Sequence, residues 1–354
     1  MLINEPNKSY GIKVIHFRHF RFLCFLGLLL ALAWPAQAQT ISNNVGWTPW
    51  QQSSVAYNEM ATTTAARYPS NEFGFRYWYS SSDIHYNVEK PKISRLDYKV
   101  DNSKTGEAYF RLASRNARYL LKGYLGVGGE QNGNVDDSDY EGGAKASDTN
   151  SSLGKGRLLH YYMDLGYKLN SLSTHTDATS VIIGGGYFQD VMTARGLTCK
   201  QAGTGSFAGF CNSVGQVKES GGVKVLQNDS RFSALRIGLE NNWTPTRRLT
   251  WRNEVALIPY ASFKNDDYHY LRSDLGSEVP NFRDNGTAFG AQMETMFDYR
   301  LTPGWSINFG AQYWVFWSPQ TTTKVGNPVV LGTEKSYDWL YHRLGAFVGT
   351  SYHF

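Results

Sequence analysis

The chain has 354 residues, 41% hydrophobic and 15% aromatic, with 35 Lys and Arg against 30 Asp and Glu. Four of those basic residues and one acidic residue fall within the first 38, leaving the remainder at +2, a near balance that gives no case for a nucleic-acid partner. Abundant aromatics together with 35 glycines suit a strand-built protein with interfacial aromatic girdles.

Lys13, Arg18 and Arg21 precede an apolar run over residues 22–34, and Ala36-Gln37-Ala38 offers a small-residue cleavage site. This is the layout of a secretory signal peptide over residues 1–38. A run of about 13 residues is too short for a bilayer core that needs about 20; a retained membrane anchor is the alternative reading. A Ser/Thr/Asn-rich leader follows over residues 39–70. No later apolar stretch approaches spanning length, so a membrane protein built from the remainder must be a closed barrel.

Ten strands are expected, over residues 71–80, 89–113, 117–127, 156–169, 178–195, 226–244, 248–264, 286–301, 305–318 and 336–354. The ninth carries the clearest alternation. Ile307, Phe309, Ala311, Tyr313, Val315 and Trp317 share one face, while Ser306, Asn308, Gly310, Gln312, Trp314 and Phe316 share the other. An apolar face backed by a small or polar one suits lipid outside and a wet lumen inside. The last strand repeats the pattern and closes on Phe354. Short connections around 115–116, 170–171, 245–246 and 303–304 alternate with long polar ones at 81–88, 128–155, 196–225, 265–285 and 319–335. Short periplasmic turns and long external loops alternate in this way in an up-and-down barrel, so all the long loops would emerge at one rim.

The predicted fold is therefore all-β: a ten-stranded antiparallel up-and-down transmembrane β-barrel over residues 71–354. A barrel this narrow leaves no open pore; Asp164, Gln292, Glu294, Asp298 and Arg300 would fill its lumen. Pro259 inside a strand pattern implies a bulge near the rim. Cys24 leaves with the signal, and Cys199 and Cys211 remain in an oxidising compartment, where a disulfide is expected. Two cysteines without a nearby His make a poor metal site.

Two acidic clusters lie in the expected long loops. One contains Asp136-Asp137-Ser138-Asp139, the other Asn265-Asp266-Asp267-Tyr268-His269. In extended chain, residues i and i+2 face the same way, which joins Asp137 to Asp139 and Asp267 to His269. Facing each other, the pairs could hold a water whose proton His269 takes as it attacks a carbonyl. Asp267 would orient the imidazole, and the two aspartates would titrate as a coupled pair. His85, His160, His175 and His342 have no partner spacing and read as rim or lumen polar residues. The other function class is a barrel without catalysis, an adhesin or binding protein acting through its loops. A lipid-modifying barrel would need a Ser or His nucleophile set at the rim, and none has supporting spacing.

At these residues the chain resembles the omptins, outer-membrane endopeptidases built on a ten-stranded barrel. The Gly-Asn-Val-Asp-Asp-Ser-Asp-Tyr stretch at 133–140 is similar to their aspartate-pair loop. Asn-Asp-Asp-Tyr-His-Tyr at 265–270 is similar to their Asp-His segment, and Lys-Ile-Ser-Arg-Leu-Asp-Tyr-Lys at 92–99 to their second strand. The resemblance implies a catalytic water between the Asp267–His269 dyad and the Asp137–Asp139 pair, with no cofactor and no metal. It implies cleavage of peptides or proteins near basic residues, selected by acids at the pocket base. Asp83 maps onto one of these acids, and Asn265 stands where the other is expected. It also implies a monomer in the bacterial outer membrane with its active face outside. Outer-membrane lipid is then a partner and lipopolysaccharide a requirement, its site matched in part by Tyr187, Asp190 and Arg195.

Overall fold

Strand alternation carries directly into a closed sheet. The computed structural model describes residues 71–89, 93–115, 117–169, 172, 177–272, 280–326 and 332–354; the expected signal peptide and leader lie outside them. The strands are β1 (Glu72–Val88), β2 (Ser94–Ala113), β3 (Tyr119–Glu141), β4 (Ala144–Leu153), β5 (Arg157–Lys168) and β6 (Asp177–Cys199), followed by β7 (Val217–Trp243), β8 (Leu249–His269), β9 (Phe282–Arg300), β10 (Trp305–Val325) and β11 (Gly332–His353). Every pairing is antiparallel, and β1 pairs with both β2 and β11, so the sheet has no free edge.

Among the described residues the strands number eleven rather than the expected ten. β4 and β5 both lie between β3 and β6, one above the other, so they share one position in the ring. The break falls at Gly154-Lys155-Gly156, where Lys155 has φ 56°. A Cβ on Gly156 would lie 2.6 Å from the Val191 backbone oxygen as well as 2.0 Å from Gln131 Oε1, a close approach to backbone that favours glycine.

The expected long loops are also largely strand. β3 runs to Glu141 and returns as β4 inside the 128–155 segment, and β8 runs through His269. The reason is that the ladder continues above the apolar belt, where the outward residues are polar (Asp83, His85, Asp97, Lys99) and any apolar ones, such as Ile84, Leu96 and Val100, face inward, so the apolar outer face that marks a strand in the belt is missing. Within the belt the alternation holds. Phe73, Phe75, Tyr77, Ile307, Phe309, Leu344 and Val348 are exposed on the outer wall, as lipid-facing positions would be.

The lumen is packed in two layers. The lower one is ionic. Arg76 pairs with Glu107 and, at 2.8 Å, with Glu294; Lys122 pairs with Glu254 and, at 2.9 Å, with Glu240; Arg236 pairs with Glu254 at 2.6 Å and Asp164 at 3.4 Å. Asp164, Gln292, Glu294 and Asp298 are buried as expected, whereas Arg300 is only partly so. The upper layer replaces the expected wet lumen with aromatics. Phe232 stacks on Phe316 at 4.1 Å and on Phe263 at 4.9 Å, and Trp339 packs against Phe263 at 4.4 Å.

Cys199 and Cys211 are disulfide-bonded, with a Cα separation of 5.8 Å. The loop they close lies along β4, through Lys200 N to Asp148 O at 2.8 Å and Thr204 N to Ala146 O at 2.9 Å.

Glu254 bridges two buried cations, so removing it leaves charge uncompensated in the lumen. Glu254→Ala is expected to cost about 3–5 kcal/mol, read as a lowered urea midpoint of the refolded barrel.

Candidate functional site

Bulges on β3 and β8 decide which face Asp137, Asp139, Asp267 and His269 take at the rim. On β8, Arg252, Glu254, Ala256 and Ile258 are buried, and the even positions face inward. The register then slips between Ile258 and Ala261, across Pro259 and Tyr260. Above the slip, Ala261, Phe263, Asn265 and Asp267 are buried instead. An extra residue in one strand turns all later side chains to the other face; without it, Asp267 and His269 would point outside. β3 repeats the device. Leu120, Lys122 and Tyr124 are buried below a register shift opposite Lys104/Thr105, and Gln131 and Val135 above it. Asp137 and Asp139 continue that inward series.

Asp267 is 2% exposed, and its Oδ2 lies 3.3 Å from His269 Nε2. Tyr86 Oη donates to the same oxygen at 2.5 Å, and Tyr98 Oη donates to Oδ1 at 3.3 Å. The backbone of the dyad is fixed as well. His269 N donates to Asn281 Oδ1 at 2.6 Å, and Asn281 N donates to Asp267 O at 3.0 Å. Phe282 stands edge-on to the imidazole at 5.0 Å. Below the dyad, Asn265 donates to Asp284 Oδ2 at 3.0 Å, and Thr321, Thr323 and Ser336 donate to Asp284 Oδ1.

The two acidic pairs act on each other across the mouth. Burial, followed by the neighbouring Asp139, pushes Asp137 up to about 7, against the opposing pull of His269. Burial also raises Asp139, opposed by Arg272 and His269. For His269, burial disfavours the cation, but Asp267 beside it and Asp137 opposite more than offset this, and its pKa is raised. The four side chains thus form one electrostatic unit drawn from β3 and β8, which are not adjacent in the ring.

Other expected site residues fall elsewhere. Asp83 does not reach the lumen. β1 has no bulge of this kind, so Ser82, Ile84 and Tyr86 face inward and Asp83 faces out, 3.5 Å from His342 Nε2. With His85, Asp97 and Asp136 it lines a polar hollow of about 280 Å³ on the outer wall. Nor do Tyr187, Asp190 and Arg195 make one surface. Tyr187 stacks on Tyr161 at 5.6 Å. Asp190 is fully buried in the lumen, held by Arg343 Nη2 at 2.6 Å and Gln131 Nε2 at 2.6 Å. Arg195 Nη1 donates to Gly222 O at 2.6 Å. Odd and even positions of one strand cannot meet a single lipid.

Among the described residues, Glu72, Asp298 and His353 have potential metal-ligand atoms within 4.8 Å of one another. They sit at the opposite end of the lumen, where Arg252 already pairs with Glu72 at 2.8 Å. Tyr86, Tyr98, Asn281 and Asp284 were not foreseen as site residues. Period-two counting from Phe73 does place Tyr86 inward, and that signal was available.

No family model and no curated protein matches the sequence. Solved structures do. The outer membrane protease OmpT from Escherichia coli aligns with TM-score 0.64 and 14% identity, over 80% of this chain and 96% of that one. OprG from Pseudomonas aeruginosa aligns with TM-score 0.33 and 11% identity, over 81% and 97%. The translocator domain of the autotransporter NalP from Neisseria meningitidis aligns with TM-score 0.31 and 11% identity, over 85% and 98%. The likeness to the first shows the fold, a β-barrel of the outer-membrane type.

Asp137 is protonated more readily in the folded barrel than at its ordinary value of 3.8. The folded state therefore binds more protons than the unfolded one between roughly pH 4 and 7, and stability falls as pH rises through that window. Asp137→Asn should remove this part of the slope and raise the melting temperature at pH 8 relative to the parent.

Proposed function

We propose that this chain is an omptin-like endopeptidase of the outer membrane, acting on peptides or proteins at the outer surface. The observation that supports it most is the meeting, at one rim and from non-adjacent strands, of a buried Asp267–His269 pair and an Asp137–Asp139 pair. The exposed apolar belt supports the membrane setting, and the long hairpins at the dyad's rim support an outward-facing site.

In this reading a water sits between the pairs. His269 takes its proton through the ring nitrogen not turned to Asp267, while the water oxygen bonds to the scissile carbonyl carbon. Asp267 holds the imidazole and stabilises the imidazolium. With a pKa of about 7, Asp137 is part-protonated at neutral pH. It can therefore donate a hydrogen bond to the oxyanion, which an ionised carboxylate would repel. The carbon–nitrogen bond then breaks, and His269 returns its proton to the leaving amine. Preference for basic residues would rest on Asp284 rather than Asp83, since Asp284 is the carboxylate beside Asn265.

Refolded protein should cleave a peptide containing Arg-Arg, Lys-Lys and apolar sites. His269→Ala should lose at least ~100-fold in rate while remaining folded; an unchanged rate would remove the mechanism. EDTA should leave the rate intact, and loss with chelator would recast Asp137 and Asp139 as metal ligands. No cleavage by folded parent protein, with or without lipopolysaccharide, would point to a binding barrel. In Asp284→Asn, the ratio of cleavage at basic over apolar sites should fall.

A further inference from the structure

Asp267 is a buried carboxylate whose ion-pair partner among the described residues is His269. Its remaining acceptor capacity is met by two phenols from different strands. Tyr86 of β1 reaches Oδ2, the oxygen that also faces His269, and Tyr98 of β2 reaches Oδ1. Both rings are almost completely buried. Burial keeps both phenols un-ionised well beyond the ordinary tyrosine range, so they remain donors. The Tyr86 ring stacks at 5.9 Å and 17° on Trp339, which belongs to the upper aromatic layer. The donors are therefore fixed before any substrate arrives.

We infer that Tyr86 and Tyr98 are positioning residues that lock the Asp267 carboxylate and limit how tightly it holds the His269 proton. The inference rests on the catalytic reading of the dyad. Hydrogen bonds to a carboxylate stabilise its ionised form and weaken it as an acceptor for other donors. Because Tyr86 shares Oδ2 with the imidazole, it competes directly with the Asp267–His269 hold. A carboxylate without these phenols would grip the imidazolium harder and release its proton to the leaving amine less readily. It would also be free to turn about its side-chain bonds. The arrangement thus tunes the base as well as aiming it.

The test uses Tyr86→Phe, Tyr98→Phe and the double variant in the full refolded barrel, since phenylalanine keeps each buried ring, and at position 86 its stacking on Trp339. The His269 ring is titrated by NMR, its signals identified by their loss in His269→Ala. Its pKa should rise in Tyr86→Phe, by less in Tyr98→Phe, where the contact is longer, and most in the double variant. In peptide cleavage, kcat of Tyr86→Phe should fall ~10-fold, the scale of one hydrogen bond to a charged group. KM should be unchanged, and the acid limb of the pH profile should move to higher pH. An unaltered His269 titration in folded variants would overturn the inference. So would a uniform loss of rate with no movement of the pH profile, since that is what damage to packing alone produces. If the parent cleaves no peptide, the proposed activity fails, but the titration still decides whether the phenols control the imidazole.

Discussion

Backbone amide and carbonyl groups in hydrocarbon have no water to bond to, so each must pair within the sheet. That constraint closes β1 onto β11 and removes every edge. It also fixes the register of each strand against its neighbours, and register fixes which side chains face inward. In such a ring a functional side chain can be moved to the other face only by breaking the alternation. The two bulges on β3 and β8 do this. They sit at the top of the belt, where the ladder can tolerate an extra residue. The lower strands keep apolar side chains outward, while the upper ones turn Asp137, Asp139, Asp267 and His269 into the mouth.

The lumen beneath the site is a support rather than a channel. Buried cations and carboxylates tie β1, β2, β3, β7, β8 and β9 together in the lower layer. Large rings from β7, β8, β10 and β11 fill the layer above. Tyr86 belongs to both the aromatic layer and the dyad, through Trp339 on one side and Asp267 on the other. Rigid packing in the lumen is thus continuous with the position of the Asp267–His269 pair, while the rim residues around it remain partly open to water. The hairpin that carries Asp137 and Asp139 is braced separately, by the disulfide-closed loop lying along β4.

The alternation of β10 and β11 was legible because one face meets lipid and must be apolar throughout. At the upper ends of β3 and β8, beyond Asn132 and Lys264, both faces are mostly polar, and strand could not be told from loop; these strands therefore run further than their composition suggests. Asp83 was misplaced for a related reason. The resemblance mapped it onto a substrate pocket, yet uninterrupted period-two counting along β1 turns it to the outer wall beside His342. Asp190 and Tyr187 failed together because their spacing puts them on opposite faces of β6. In each case the resemblance suggested a role for which parity along the strand points the side chain elsewhere.

The sequence by itself determined the class of solution. A lipid-compatible alternation without a spanning helix demands a closed antiparallel barrel, and Asp-x-Asp and Asp-x-His spacing demands that each pair share a face. Only the tertiary structure decided that both pairs point inward and oppose each other, that Tyr86 and Tyr98 converge on Asp267, and that Asp284 lies beside Asn265. These depend on bulges and on contacts between strands far apart in the chain. A bulge changes the face of every residue beyond it, and nothing in local composition records where the opposite wall will stand.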